Sequence, residues 1–239
     1  MKTKLLTLAS LLAFLNAKAV EIGPTGSGIE FGGFVDWAYQ SQDAADGSDA
    51  DTFDATQVEL NLDFVDGPFS ISVDYDLYDT GYDADARGAD LEEAIITYDF
   101  GNGFSMTAGK MLTYMGFEAY DPPNMYQYSY AYDILGTQDI YDAYDDGISI
   151  DYGSDMFSLG FFASAETDGG YEYAFAFTGI DNLTFKAIYA DWDQLDADSY
   201  EKSTFWVSYA MDNLLLAAEV AEADYTDTTV DDIEGWLIM

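Results

Sequence analysis

Residues 69–77 read Phe69-Ser70-Ile71-Ser72-Val73-Asp74-Tyr75-Asp76-Leu77. Every odd position is apolar or aromatic and every even one is polar. A period of two belongs to a β-strand, whose successive side chains point to opposite faces. The same pattern recurs upstream. In 29–40, Ile29, Phe31, Gly33, Val35, Trp37 and Tyr39 alternate with positions that include Glu30, Asp36 and Gln40. In 56–64, Thr56, Val58, Leu60, Leu62 and Phe64 alternate with Gln57, Glu59, Asn61 and Asp63. It returns downstream in Phe157, Leu159, Phe161 and Ala163, in Tyr171, Tyr173, Phe175 and Phe177, and in Phe205, Val207 and Tyr209. The chain is all-β, and each strand has one apolar and one polar face. What matters next is the solvent that the apolar face meets.

The connections bear on that. The pattern predicts twelve strands, at 29–41, 55–65, 69–78, 91–100, 104–110, 147–153, 156–164, 171–178, 183–192, 203–210, 214–221 and 233–239. Short turns follow the even-numbered ones: Asp66-Gly67-Pro68, Gly101-Asn102-Gly103, Gly153-Ser154-Asp155, Gly179–Asn182 and Met211-Asp212-Asn213. The others are long, at 42–54, 79–90, 111–146, 193–202 and 222–232, with Ala165–Gly170 the exception. A secreted acidic β-sandwich that binds a ligand also explains the alternation, by packing its apolar faces on each other. It gives no reason to gather short turns at one end. A transmembrane antiparallel up-and-down β-barrel does, with short periplasmic turns and long extracellular loops. Most of these strands are near the ~9–11 residues that a tilted strand needs to cross hydrocarbon. The 20 tyrosines and 16 phenylalanines suit the aromatic girdles at the two interfaces.

The N-terminus agrees. Met1-Lys-Thr-Lys4 is basic, Leu5–Ala17 is largely apolar, and Ala17-Lys18-Ala19 fits a small-x-small cleavage site. We expect a signal peptide over 1–19 and an outer-membrane barrel over 20–239. The apolar stretch is too short for a membrane helix, which takes ~20 residues.

Charge and missing residue types exclude several functions. The chain has 46 acidic against 7 basic residues. Lys2, Lys4 and Lys18 lie in the leader, so Arg87, Lys110, Lys186 and Lys202 alone oppose the carboxylates afterwards. Nucleic acid is repelled by such a chain. Neither cysteine nor histidine is present. Disulfides, Ser–His or Cys–His catalysis and the usual zinc sites are therefore not expected, nor is an enzyme.

In a barrel, the polar face lines the interior. Glu30, Asp36, Gln57, Glu59, Asn61, Asp63, Asp74, Asp76, Glu93, Asp99, Asp151, Glu172 and Glu219 are expected there, with Lys186 in opposition. Dry burial of so many unpaired carboxylates would cost too much. A water-filled lumen follows, and an acidic pore favours cations. The longest connection, 111–146, holds eight tyrosines (114, 120, 126, 128, 130, 132, 141 and 144), Phe117 and Pro122-Pro123. Long loops of this kind are usually functional. It is expected either to fold into the barrel as a constriction, with Glu118, Asp121 and Asp133 near the narrowest point, or to cap the mouth or a neighbouring subunit. Aspartates 43, 46, 49, 51 and 54, and 79, 83, 85 and 90, crowd two other loops. Ca²⁺ could bridge them, but EF-hand spacing is absent and solvated loops are the simpler reading. No other cofactor is expected.

One stretch carries a resemblance. Gly109-Lys110 closes a strand, Gly116-Phe117-Glu118 follows, then Asn124 and Ser129, and Asp146-Gly147-Ile-Ser-Ile-Asp-Tyr152 opens the next strand. This resembles the OmpL-like β-barrel porins of Gram-negative bacteria. The resemblance implies an outer-membrane diffusion channel and assigns no role to single residues. Barrels of that family are generally longer chains, and Trp236-Leu-Ile-Met239 lacks a terminal aromatic. We therefore expect a chain truncated at its C-terminus from a larger barrel. The expected function is a porin that passes small hydrophilic solutes and prefers cations, with outer-membrane lipids around it and a homotrimer as one possible assembly. A non-conducting structural or adhesive barrel is the alternative.

Overall fold

The computed structural model describes residues 20–22, 25–43, 49–79, 88–117, 123, 125, 144–166, 169–192, 200–225 and 232–239. The expected signal peptide, Glu118, Asp121, Asp133, Asp46, Asp83 and Asp85 lie outside them. The strands are β1 (Val20–Glu21), β2 (Ile29–Asp43), β3 (Asp49–Asp66), β4 (Phe69–Asp79), β5 (Gly88–Gly101), β6 (Phe104–Leu112) and β7 (Tyr144–Gly153). After them come β8 (Phe157–Ser164), β9 (Tyr171–Ile180), β10 (Leu183–Trp192), β11 (Tyr200–Met211), β12 (Leu214–Tyr225) and β13 (Ile233–Ile238). Among the described residues they form one antiparallel, up-and-down sheet in chain order, with 13 strands. Among the described residues, no helix is long and apolar enough to cross a membrane.

The chain divides into two compact units: Met1–Phe64 with Ser72–Glu92, and Val65–Ile71 with Glu93–Met239. In the first, β2 and β3 pair from Ile29↔Phe64 to Asp43↔Asp49. In the second, β6 to β13 pair in sequence, as in Lys186↔Trp206 and Trp206↔Glu219.

Three expectations need correction. The strand number rises from twelve to 13 because Val20 and Glu21 pair with Phe31 and Glu30. Two residues are too few to show a period. The alternation through Thr56 also breaks. Asp36 pairs with Gln57 but Trp37 pairs with Ala55, so Thr56 is an extra, bulged residue. Its hydroxyl donates to the Asp36 carboxylate, away from the apolar set. Lastly, strands continue into expected loops, so Asp43, Asp49, Asp51, Asp54 and Asp79 belong to β2, β3 and β4.

Burial is inverted relative to a water-soluble protein. Trp37 is 48% exposed and Phe53 67%, and Phe31, Leu77, Ile148, Ile150, Phe175 and Val220 are exposed as well. Asp36, Glu59, Asp76, Glu172, Lys202, Thr204 and Glu219 are buried. A sandwich would hide those rings between two sheets. One sequential sheet with its apolar face uncovered rules that architecture out. Continuous apolar surface on this scale suits lipid rather than water.

Short turns close the hairpins with the expected residues. Asn102, Asn182 and Asp212 take positive φ at 56°, 65° and 48°, a region that Asn and Asp tolerate better than most residues.

Candidate functional site

The polar face carries two groupings, one in each unit. In the first unit, amide side chains tie carboxylates of neighbouring strands together. Gln57 Nε2 donates to Asp76 Oδ1 at 3.2 Å. Asn61 Nδ2 donates to Asp74 Oδ1 at 2.7 Å and also to Glu59. Ser72 Oγ donates to Asp63 Oδ1 at 2.9 Å. The predicted Asp36, Glu59, Asp63, Asp74 and Asp76 thus share one face, joined by neutral donors. Glu30 lies across from Asp63 but is exposed. Glu92 was missed, since the alternation ran through Glu93. Its carboxylate stands with those of Glu59 and Asp76, all within 4.8 Å. Three carboxylates this close are a strong local attraction for a cation, although Ca²⁺ wants six to eight oxygens. Among the described residues of this unit there is no Lys or Arg.

In the second unit, residues 113–117 leave the end of β6 as a strap that lies across the polar faces of β7 to β12. Each backbone or ring group meets a different strand. Tyr114 Oη donates to Asp151 Oδ1 on β7 at 2.5 Å, and Ser149 Oγ holds the other oxygen of that carboxylate at 2.8 Å. Tyr114 N donates to Glu172 Oε2 on β9 at 2.8 Å. Lys186 Nζ on β10 donates to the Tyr114 carbonyl at 3.0 Å. Trp206 Nε1 on β11 donates to the Gly116 carbonyl at 3.1 Å, and its ring meets Phe117 edge-on at 5.1 Å. Phe117 N donates to Glu219 Oε2 on β12 at 3.3 Å. Gly116 makes the path possible with φ of 85°, a conformation costly for residues with a Cβ.

Tyr114 sits where β8 offers no side chain. A Cβ at Gly160 would lie 2.6 Å from its Cζ and 2.8 Å from its oxygen. Burial pushes the Tyr114 phenol above its ordinary range, and the Asp151 carboxylate that it donates to adds to the shift. It therefore remains a donor at physiological pH. Lys186, expected in opposition to the lumen acids, donates to the strap's backbone, and Glu172 and Glu219 accept from the strap's amides. Lys202, buried on β11 with its Nζ 4.4 Å from the Tyr200 ring, is a second interior cation that the sequence reading did not place.

The polar face is not polar throughout. Phe162, Ile188, Ala190, Trp192, Ala221 and Ala223 form an apolar patch on it, and Met111 of β6 and Met115 pack in the same cluster. Of the other expected residues, Asp99 lies at a turn, where it accepts the Gly101 amide at 2.7 Å. Lys110 pairs in register with Ala94 and Asp146. Asp90 is exposed and accepts the Leu91 amide at 2.8 Å.

The chain matches none of the curated proteins. Among solved structures it is similar to an outer membrane protein of Vibrio cholerae, OmpT, in a form with loop L8 deleted. The identity there is 14%, the coverage 88% of this chain and 86% of the other, and the TM-score 0.45. A second OmpT structure from Vibrio cholerae gives 15% identity, 91% and 82% coverage, and a TM-score of 0.40. The family model described as "Putative beta-barrel porin-2, OmpL-like" matches residues 28–197, well over half of the chain. With its 13-stranded up-and-down sheet and its uncovered apolar face, the chain belongs to the OmpL-like β-barrel porin family of the outer membrane.

Proposed function

We propose that the protein is a porin, without enzymatic activity, that lets small hydrophilic solutes diffuse through a water-filled lumen and prefers cations. The observation that carries this reading is the inverted burial. Rings face outward, whereas Asp36, Glu59, Asp76, Glu172 and Glu219 are withdrawn to the opposite face. Ionised groups in such number need water or cations around them. Few cationic side chains share their face, so the potential there is negative and draws in mobile cations.

The test is to fold the chain into a planar bilayer and record current in a salt gradient. Discrete steps whose reversal potential has the sign of cation flow are expected. A protein that migrates as a heat-modifiable barrel but passes no current would refute the channel and favour the structural or adhesive barrel.

A further inference from the structure

We infer that Glu59, Asp76 and Glu92 bind one Ca²⁺ on the polar face of the first unit, where the ion clasps β3, β4 and β5 together. The three residues stand on successive strands of the sheet. One carboxylate oxygen from each lies within 4.8 Å of the other two. Oxygens bound to a single Ca²⁺, at about 2.3–2.6 Å from it, are at most about 5 Å apart. The three therefore fit one coordination sphere as they stand. Around Mg²⁺, with bonds of about 2.0–2.1 Å and strict octahedral geometry, the same limit is about 4 Å. Oxygen donors without Cys or His select a hard cation of this kind.

What points to a ligand is Glu59. It is 2% exposed, and Asn61 donates to its Oε1. Its Oε2 is buried and accepts no hydrogen bond. A dry, ionised oxygen is costly unless it meets a counter-charge or a metal. Asp76 is equally buried and accepts from Gln57 Nε2, at 3.2 Å on Oδ1 and 3.4 Å on Oδ2. Both amides are neutral, so they orient the carboxylates without cancelling their charge, as the outer partners of a metal site do. The second unit sets Lys186 among Glu172, Glu219 and Asp151. Among the described residues of the first unit there is no Lys or Arg to do the same. Ca²⁺ supplies the missing charge. Glu92 is half-buried, so water reaches the ion and completes its six to eight oxygens.

The full chain, folded in detergent micelles and stripped of Ca²⁺ with a chelator, is titrated with Ca²⁺ by calorimetry at constant ionic strength, and its melting temperature is followed. Wild type should bind one Ca²⁺ saturably and melt higher for it, with a smaller rise in Mg²⁺ at the same concentration. Glu59→Gln and Glu92→Gln should each lose the saturable binding and the rise. Without Ca²⁺ they should melt at or above wild type, because one of three crowded charges is gone, and adding Ca²⁺ should reverse that order. Glu30→Gln, exposed on β2, should behave as wild type. A folded wild type that takes up no stoichiometric Ca²⁺ would overturn the site and leave a proton shared between the carboxyls. Saturable binding retained in either glutamine variant would also overturn it, by moving the ion to other acids. Binding and melting are read without current, so a silent barrel would refute the channel and leave the Ca²⁺ site standing.

Discussion

Glu172 offers the sharpest thermodynamic test of how the strap is held. It is 0% exposed on β9, its Oε2 lies 2.8 Å from the Tyr114 amide, and Lys186 projects from the neighbouring strand. In Glu172→Ala the Tyr114 N–H loses a charged acceptor, a bond of about 1.5–3 kcal/mol. Lys186, whose Nζ bonds the Tyr114 carbonyl, also loses the attraction of that carboxylate. About 1.5–3 kcal/mol is therefore expected at the least. Glu172→Gln keeps a carbonyl acceptor for Tyr114 and removes only the charge. It should cost about half as much.

Reversible urea unfolding from lipid vesicles measures these differences. Trp206 is bonded to the strap and meets Phe117 edge-on, so its fluorescence reports locally. The exposed Glu222→Ala on β12 should stay within about 0.5 kcal/mol of wild type. The reasoning fails if Glu172→Ala matches that control. Water would then replace the carboxylate without loss, and the strap would not depend on it. Alanine and glutamine costing the same would fail it differently, by showing that the charge and not the acceptor matters.

Three further substitutions test the sheet. Gly109 has φ of 131°, and a Cβ there would sit 3.0 Å from the Ala94 carbonyl carbon and 3.1 Å from Ile95 Cα, with the Ala94 oxygen closer still. Gly109→Ala should incur both backbone strain and overpacking, each about 1–3 kcal/mol, whereas Gly101→Ala, with φ of 76° and nothing within 4 Å, should incur the first alone; urea midpoints of the two decide. Phe175, exposed on β9 between Leu159 and Ala187, faces lipid in this reading. Phe175→Arg should lower folding stability in vesicles by about 2–4 kcal/mol if it lies near the bilayer midplane, and an unchanged midpoint would mean that this face meets water.

Much of this architecture is written locally in the chain. Alternation such as Phe69 to Leu77 fixes both the strand and its faces, because a one-residue slip would reverse every side chain. The turns are equally local, since Asn102, Asn182 and Asp212 are residue types that accept positive φ. The breaks in the pattern were not legible. The bulge at Thr56 makes one residue face the wrong way, and it is defined by the partner strand, where Trp37 meets Ala55. A two-residue strand such as Val20–Glu21 has no period to read.

The strap lay beyond reach for a related reason. Its bonds join residues 37 to 102 positions apart, and no spacing announces them. Tyr114 looked like one ring of a ring-rich loop, and Gly160 like any glycine of an alternating strand. One signal was nonetheless present. Phe162, Ile188, Ala190 and Trp192 stand at positions that the alternation assigns to the polar face, where an open aqueous lumen has no use for them. Apolar residues there require a cover, and Met111 and Met115 at the head of the longest connection are apolar residues in need of burial. Reading departures from the period, as well as the period itself, would have directed the start of that connection onto the interior of β8 to β12. Expected acids at 118, 121 and 133 drew attention past it, because charge seemed the natural mark of a constriction. In this protein the interior charges of Glu172, Lys186 and Glu219 hold a backbone in place, so a pore-facing acid and a structural one are told apart only by what their oxygens accept.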